Sequence, residues 1–518
     1  MAIINKGQES PEMSVWRQRL WPVYNYELKK FIPMVMIMFW ILFSYTVVRN
    51  IKDTLLVNAP HSSSHVLPWA KILIVTPASI LFVVLYARLS NIFTKEKLYY
   101  SCLMPFGLFF LLFGFLIFPF SDYFNASPET VLSWQESVPF FKDLFPIVGY
   151  WTFTLFYTMA ELWGNVGVAL LFWQFANQIT PTSEAKRFYP IFGFWSNLGL
   201  ISAGLLVKYA QHIVGLFLMP GVPKATNFLM QVKLLCGCVG FGCFAVGIIY
   251  WWMNKNVLTD PRYYDEANLL KKGKEKKPKL SIGESVKFLL NSKYLGYITI
   301  LVLAYGITIN IVEISWKDAL KTHFKGDHTS YQAFTGDQYV LTGIVTMILI
   351  GFSQNILRSF GWRSAAIVTP WMALITGGLF FFFFIFKDLL SGVCAYIDMT
   401  PIGVAIWIGL FQNVLTKGAK YSLFDPTKEM AYIPLDEESK VKGKAAIDVI
   451  GGRAGKSGGS MINMVVRSLV NTLKLPPNVF FVTVGGVMAL ICMWWVWAVN
   501  KLSKSYQEKL DEKQHSEK

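Results

Sequence analysis

Ten charged side chains lie inside stretches that otherwise suit a lipid interior, and their types define the chemistry open to the chain. Arg49 and Lys52 fall late in an apolar run over 31–57, Lys71 in the next run, and Glu161 near the middle of 147–176. Glu313 and Lys317 fall late in 294–320, while Lys444, Asp448, Arg453 and Lys456 populate 443–472. A charge at a bilayer centre costs at least about 2.5–3.5 kcal/mol, so such residues face a partner or a water-filled cavity. Seven of the ten are cations, and positive charge in a low-dielectric cavity is unfavourable until an anion neutralises it. The expected cargo is a multiply charged anion. Phosphates suit best, because Arg offers a planar fork and Lys a mobile point charge to their oxygens. For any single residue the alternative is an ion pair that fixes helix contacts, or snorkelling to the interface.

Phe153, Tyr157 and Trp163 sit at helical spacing around Glu161, a stripe that either stacks a planar base such as adenine or packs between helices. Asn165 and Asn310 likewise pair with a base edge or bond across helices. GGRAGKSGGS at 451–460 has a phosphate-loop flavour, but Ile450 stands where that loop needs glycine, and no strand precedes it. The segment reads instead as a span whose glycines allow close helix approach, with Arg453 and Lys456 projecting into a cavity. Nothing in it supports nucleotide hydrolysis. Cys236 and Cys238 form a CxC without a second ligand cluster, so no metal site and no cofactor are expected.

These side chains need helices that cross a membrane. The 518 residues are 54% hydrophobic and only 15% charged, with 18 Trp and 42 Phe, which excludes an ordinary soluble enzyme. Apolar runs near 31–57, 66–88, 99–120, 147–176, 188–209 and 229–253 are each long enough for a span. After a basic stretch come 294–320, 336–357, 364–387, 401–418, 443–472 and 478–500, of which 443–472 is the least apolar. The expectation is an all-α membrane protein of about twelve transmembrane helices in two six-helix bundles. Its segments are an N-terminal segment 1–30, a first bundle 31–253, a basic linker 254–291, a second bundle 292–500 and a charged tail 501–518. Residues 1–30 lack the apolar core and cleavage site of a signal peptide.

Lys and Arg concentrate in the loops that share a side with both termini, whereas 121–146 holds four acidic residues against Lys142, so both termini are expected to be cytoplasmic. The net charge of +16 follows that topology and not one basic face, which argues against a nucleic-acid partner. The linker run KKGKEKK at 271–277 reads as a solvated segment, with anionic lipid headgroups as the alternative contact. The two halves suggest a parallel repeat. VVRNIKDTLL at 47–56 answers IVEISWKDAL at 311–320, matching Lys52 and Asp53 with Lys317 and Asp318, and EAK at 184–186 answers ESK at 438–440.

VVRNIKDTLLV, MAELWG at 159–164, FWQFANQIT at 172–180, INIVEISWK at 309–317 and YSLFDPTKEMAYIPLDEESKVKGKAAID at 421–448 closely resemble the non-mitochondrial ATP/ADP translocases of obligate intracellular bacteria and plastids. The resemblance runs from about 28 to 500. It implies a major-facilitator-like arrangement and exchange of ATP for ADP, in bacterial members host ATP in and ADP out. The lipid bilayer is then the medium, with the bacterial inner membrane the expected location and phosphate a further candidate cargo. The family's important charges match Lys52, Glu161, Glu313 and Lys456. Related carriers include nucleotide–proton symporters and NAD or broad nucleotide carriers, which stand as alternatives. The candidate substrate-binding set is Arg49, Lys52, Glu161, Asn165, Asn310, Glu313, Lys317, Arg453 and Lys456, with Phe153, Tyr157 and Trp163 for the base.

Overall fold

The computed structural model describes residues 23–217, 223–260, 263, 292–396, 398–435, 447 and 451–516. Its long helices are α1 (Asn25–Asn58), α2 (Val66–Ile92), α3 (Lys95–Phe124), α4 (Trp151–Ile179), α5 (Arg187–Gly215) and α6 (Lys224–Asn256). The second half supplies α7 (Lys293–His323), α8 (His328–Phe352), α9 (Gly361–Ile385), α10 (Pro401–Ala431), α11 (Gly452–Thr472) and α12 (Pro477–Ser516). In lipid a backbone must satisfy its own hydrogen bonds, so long apolar runs become helices and the breaks carry capping residues. Ser292 accepts from the Leu295 amide and Thr400 from the Gly403 amide at the starts of α7 and α10. The turn between α8 and α9 is set by Gly361 at φ 74°, a left-handed conformation that glycine adopts without a Cβ penalty.

Eleven of these helices are long and apolar enough to cross a membrane by composition. The twelfth, α11, is amphipathic, as its glycines, serines and cations foreshadow. α12 runs past the expected end of its span, and Tyr506 in the charged tail stacks on Trp362 with ring centroids 5.2 Å apart. Residues 121–150 fold into short helices, among them Pro128–Ser137, over the side opposite the termini, called here the far side.

One buried cluster draws only on the first half, from Phe31 through Trp163 to Met253, and another only on the second, from Tyr294 to Tyr506. A third joins Leu56, Val66 and Tyr157 to Trp316, Tyr331 and Phe480, all toward the far ends of their helices. Two bundles thus meet mainly at the far side. There α5 and α8 approach backbone to backbone: a Cβ on Gly204 would stand 2.8 Å from the Gly336 carbonyl oxygen and 2.9 Å from the Val340 amide. Overpacking such a contact costs about 1–3 kcal/mol, so Gly204→Val should weaken far-side closure by roughly fivefold or more. Labelling of Val340→Cys by an impermeant maleimide, in a background without native cysteines, should rise accordingly. Unchanged labelling would remove this crossing from the closure.

Candidate functional site

Arg49, Lys52 and Asp53 project from α1, and Glu313 and Lys317 from α7, where the two helices cross between the bundles. An i, i+4 spacing places Arg49 above Asp53 and Glu313 above Lys317 on one face of each helix. The signs are opposite, so the helices interlock. Arg49 Nη2 lies 2.9 Å from Glu313 Oε1, and Lys317 Nζ lies 2.8 Å from Asp53 Oδ2. Lys317 also reaches Glu313 Oε1 at 3.0 Å along its own helix, and Lys52 Nζ meets Asp53 Oδ1 at 2.7 Å. Lys52 continues the chain to α4, where Glu161 Oε1 stands at 2.8 Å, and its ammonium lies 4.0 Å from the centre of the Tyr157 ring. Lys417 on α10 approaches Glu313 Oε1 at 3.9 Å.

Both cross-bundle pairs join residues 264 positions apart. The string match aligns Lys52 with Lys317, an offset one residue longer, and one residue turns a helical side chain by about 100°. Asp318 accordingly faces away from Asp53's partners and meets His65 Nε2 at 3.5 Å. The sequence correspondence of the two Lys-Asp pairs is therefore not the correspondence of contacts.

Exposure falls along the network: the Arg49 and Glu161 side chains are each 26% exposed, Glu313 15%, Lys317 8%, and Lys52 and Asp53 4%. Water reaches it from the terminal side. At the level of the network the bundles are also tied by Asn50 to Thr335 and Lys208 to Asp337, and farther toward the far side by Gln332 to Gln231 and by the Lys321 ammonium donating to the Ser62 carbonyl. The pathway is closed at that end.

The remaining predicted residues fall into three groups. Lys456 is exposed on α11, which packs on α7 through glycines: a Cβ on Gly459 would stand 2.7 Å from the Ile307 carbonyl oxygen. Lys456 lies beside the Gly455–Gly306 contact, two helical turns or about 10 Å nearer the terminal side than Glu313. Asn165 is exposed, whereas Asn310 is buried and its Oδ1 accepts from Ser460 at 3.2 Å and from Lys71 at 3.5 Å, a helix-bridging role. Trp163 and Tyr157 are fully buried. Trp163 packs on Phe106 and Phe110, Tyr157 carries Lys52 on its ring, and Phe153 packs beside Tyr150 and Phe118. In this conformation Trp163 and Tyr157 present no open ring face to a base. Arg453 is described only by its place in α11, and Lys444 and Asp448 lie outside the described residues.

Asp53 and Lys417 belong to the network although neither entered the candidate set. Lys417 sits at the end of the apolar run 401–418, where a lysine looks like an interfacial flank. The helix in fact continues to Ala431 through a π-helical stretch over 420–424, which carries Lys417 inside. The repeat-related α4 widens similarly over 166–174, as does α2 over 70–75 around Lys71. Such π-turns are frequent at functional sites.

In overall shape the chain is similar to a bacterial homologue of the iron transporter ferroportin, with a TM-score of 0.54 at 13% identity over 93% of this chain and 100% of that one. A bacterial homologue of the human lysosomal transporter Spinster gives 0.51 at 11% identity over 95% and 98%. These likenesses establish a major-facilitator-type fold. In sequence it is 41% identical over 494 residues to ADP,ATP carrier protein 1 of Chlamydia muridarum, covering 95% of this chain and 91% of that protein. It is 40% identical over 509 residues to ADP,ATP carrier protein 1 of Rickettsia conorii, covering 97% and 98%. The chloroplastic ADP,ATP carrier protein 1 of Arabidopsis thaliana shares 40% over 481 residues, 92% of this chain and 74% of that one. The family description TLC ATP/ADP transporter matches residues 6–506, and a twelve-helix fold with an ion network between its bundles agrees with it: the chain is a multi-pass membrane transporter, not an enzyme, and belongs to that family.

Proposed function

We propose that the protein exchanges ATP for ADP by alternating access, in bacteria taking up host ATP across the inner membrane, with both termini cytoplasmic. Bundles 31–253 and 292–500, joined by linker 254–291, rock about the α1–α7 crossing. The observation that carries this reading is the ion network at the crossing, about a quarter exposed at Arg49 and Glu161 on its terminal side and tied across the bundles on the far side. A nucleotide entering from the terminal side meets Lys456 first. Its phosphates then compete with Glu161 for Lys52 and with Glu313 for Arg49, because a polyphosphate offers each cation more charge than one carboxylate. Releasing Glu161 and Glu313 loosens the link between the halves, and the far side can open. Lys317, held by two carboxylates, serves as the lock between bundles. Asn165 is the amide within reach of the opening for the base edge.

Lys456→Ala removes one charge-assisted contact, about 1.5–3 kcal/mol, so the KM for ATP in proteoliposomes should rise by roughly tenfold or more. An unchanged KM takes Lys456 out of the site. The reading as a whole is tested by loading the liposomes: labelled ATP should enter only vesicles that contain ADP. Uptake indifferent to internal ADP defeats exchange and favours a proton-symporting carrier.

A further inference from the structure

Counting the charges that meet at the crossing shows an imbalance with an address. Among the described residues five cations converge there, Arg49, Lys52, Lys71, Lys317 and Lys417, against three carboxylates, Asp53, Glu161 and Glu313. One layer farther toward the far side, Asp318 meets His65 and lies within electrostatic reach of Arg467 and Lys321, while the Lys321 ammonium donates to the Ser62 carbonyl. The short ion pairs use Arg49, Lys52 and Lys317, each within 3.0 Å of a carboxylate oxygen. The two cations left with long contacts are Lys417, 3.9 Å from an oxygen that Arg49 and Lys317 already share, and Lys71, whose nearest hydrogen-bond acceptor is the neutral Asn310 amide oxygen at 3.5 Å. Both ammonium groups lie within electrostatic reach of Glu313. They come from opposite bundles, and each sits in or beside a π-helical stretch that shifts the helix register.

We propose that Lys71 and Lys417 form a two-sided phosphate clamp that supplies the carrier's surplus of two positive charges and thereby enforces exchange. Resting on the antiport reading, this deepens it by naming the groups that make the empty carrier unable to turn over. An empty site with two uncompensated ammonium groups is held back from crossing a low-dielectric barrier, whereas a site filled by a nucleoside di- or triphosphate is not. The clamp also favours cargo by charge: a di- or triphosphate brings more negative charge to the two lysines than a monophosphate does.

The arrangement has a pseudo-symmetric logic. In the first half a cation on α1, Lys52, faces an anion on α4, Glu161. In the second half an anion on α7, Glu313, faces a cation on α10, Lys417. Lys417 thus plays toward α7 the part that Glu161 plays toward α1, with the signs exchanged.

The test uses the full chain in liposomes, with Lys71→Gln, Lys417→Gln and the double variant. Wild type sets the reference: labelled ADP uptake into ADP-loaded vesicles far above that into empty ones. Failure of wild type to show that ratio defeats the antiport reading itself. Given the ratio, each single variant should raise the KM for ADP and ATP by about tenfold or more, the loss of one charge-assisted contact. The double variant should carry ADP into empty vesicles at a rate approaching its rate into loaded ones, and Lys417→Arg should keep the wild-type ratio. Coupling and KM that stay at wild-type values in correctly folded variants overturn the clamp while leaving exchange intact. A variant that loses all transport is checked by labelled-ATP binding in detergent: a Kd equal to wild type overturns the clamp, and a Kd raised about tenfold supports it.

Discussion

Glu313→Gln is expected to abolish exchange, by more than about a hundredfold, while leaving nucleotide binding intact or tighter. One oxygen of Glu313 receives Arg49 at 2.9 Å, Lys317 at 3.0 Å and Lys417 at 3.9 Å. An amide of the same shape cancels none of that charge. Breaking a buried pair by removing one partner costs about 3–5 kcal/mol, because the stranded charge stays desolvated. Here the stranded cations belong to both bundles, so the loss falls on the crossing that seals the far side. A transport cycle needs both end states, and a shift of that size in their balance slows exchange by roughly a hundredfold or more. The phosphate-binding charge moves the other way, since the surplus of cations grows by one. Labelled ATP binding in detergent and ADP exchange in proteoliposomes separate the two effects. Exchange within threefold of wild type would show that Glu313 does not hold the crossing together, and a loss of binding equal to the loss of transport would place it on the substrate instead.

Much of this arrangement was legible in the sequence because lipid permits few structures. Apolar runs of span length had to become helices, and eleven of the twelve runs match helices long and apolar enough to cross a membrane; the weak 443–472 run is described from 451 on, where its glycines and cations give the amphipathic α11. The stranded charges were legible because each would be costly without a partner. Their partners were not. Whether Arg49 meets Glu313 or Asp318 depends on helix phase, and a match of short strings tolerates a slip of one residue that rotation about the helix does not. Lys417 was hidden because hydropathy ends its helix at 418, whereas the chain continues through a π-helical stretch to Ala431. The aromatic stripe at Phe153, Tyr157 and Trp163 was ambiguous for a different reason. A helix that is aromatic on several faces gives no sign of which face meets a cavity, and Trp163 turns into the first-half core against Phe106.

The sharpest separation between a lock and a ligand is at Lys317 and Asp53. Asp53→Asn leaves Lys317 with Glu313 and Lys52 with Glu161, and raises the surplus of cations from two to three. Lys317→Met leaves Asp53 with Lys52 and lowers the surplus to one. Each single change cuts one of the two ion pairs between α1 and α7, and each should reduce exchange by roughly a hundredfold. The double variant removes the pair as a unit. Its surplus returns to two, Arg49–Glu313 and Lys52–Glu161 persist, and replacing a whole buried pair by neutral groups is often close to neutral in energy. Exchange should therefore recover to within about tenfold of wild type, a coupling of about 4 kcal/mol between the two positions. A residue that grips phosphate cannot be rescued in this way, because removing Asp53 does not restore the lost contact. ADP exchange measured across the four proteins of the cycle decides the matter: a double variant as inactive as Lys317→Met makes Lys317 a substrate ligand, and recovery makes it the lock.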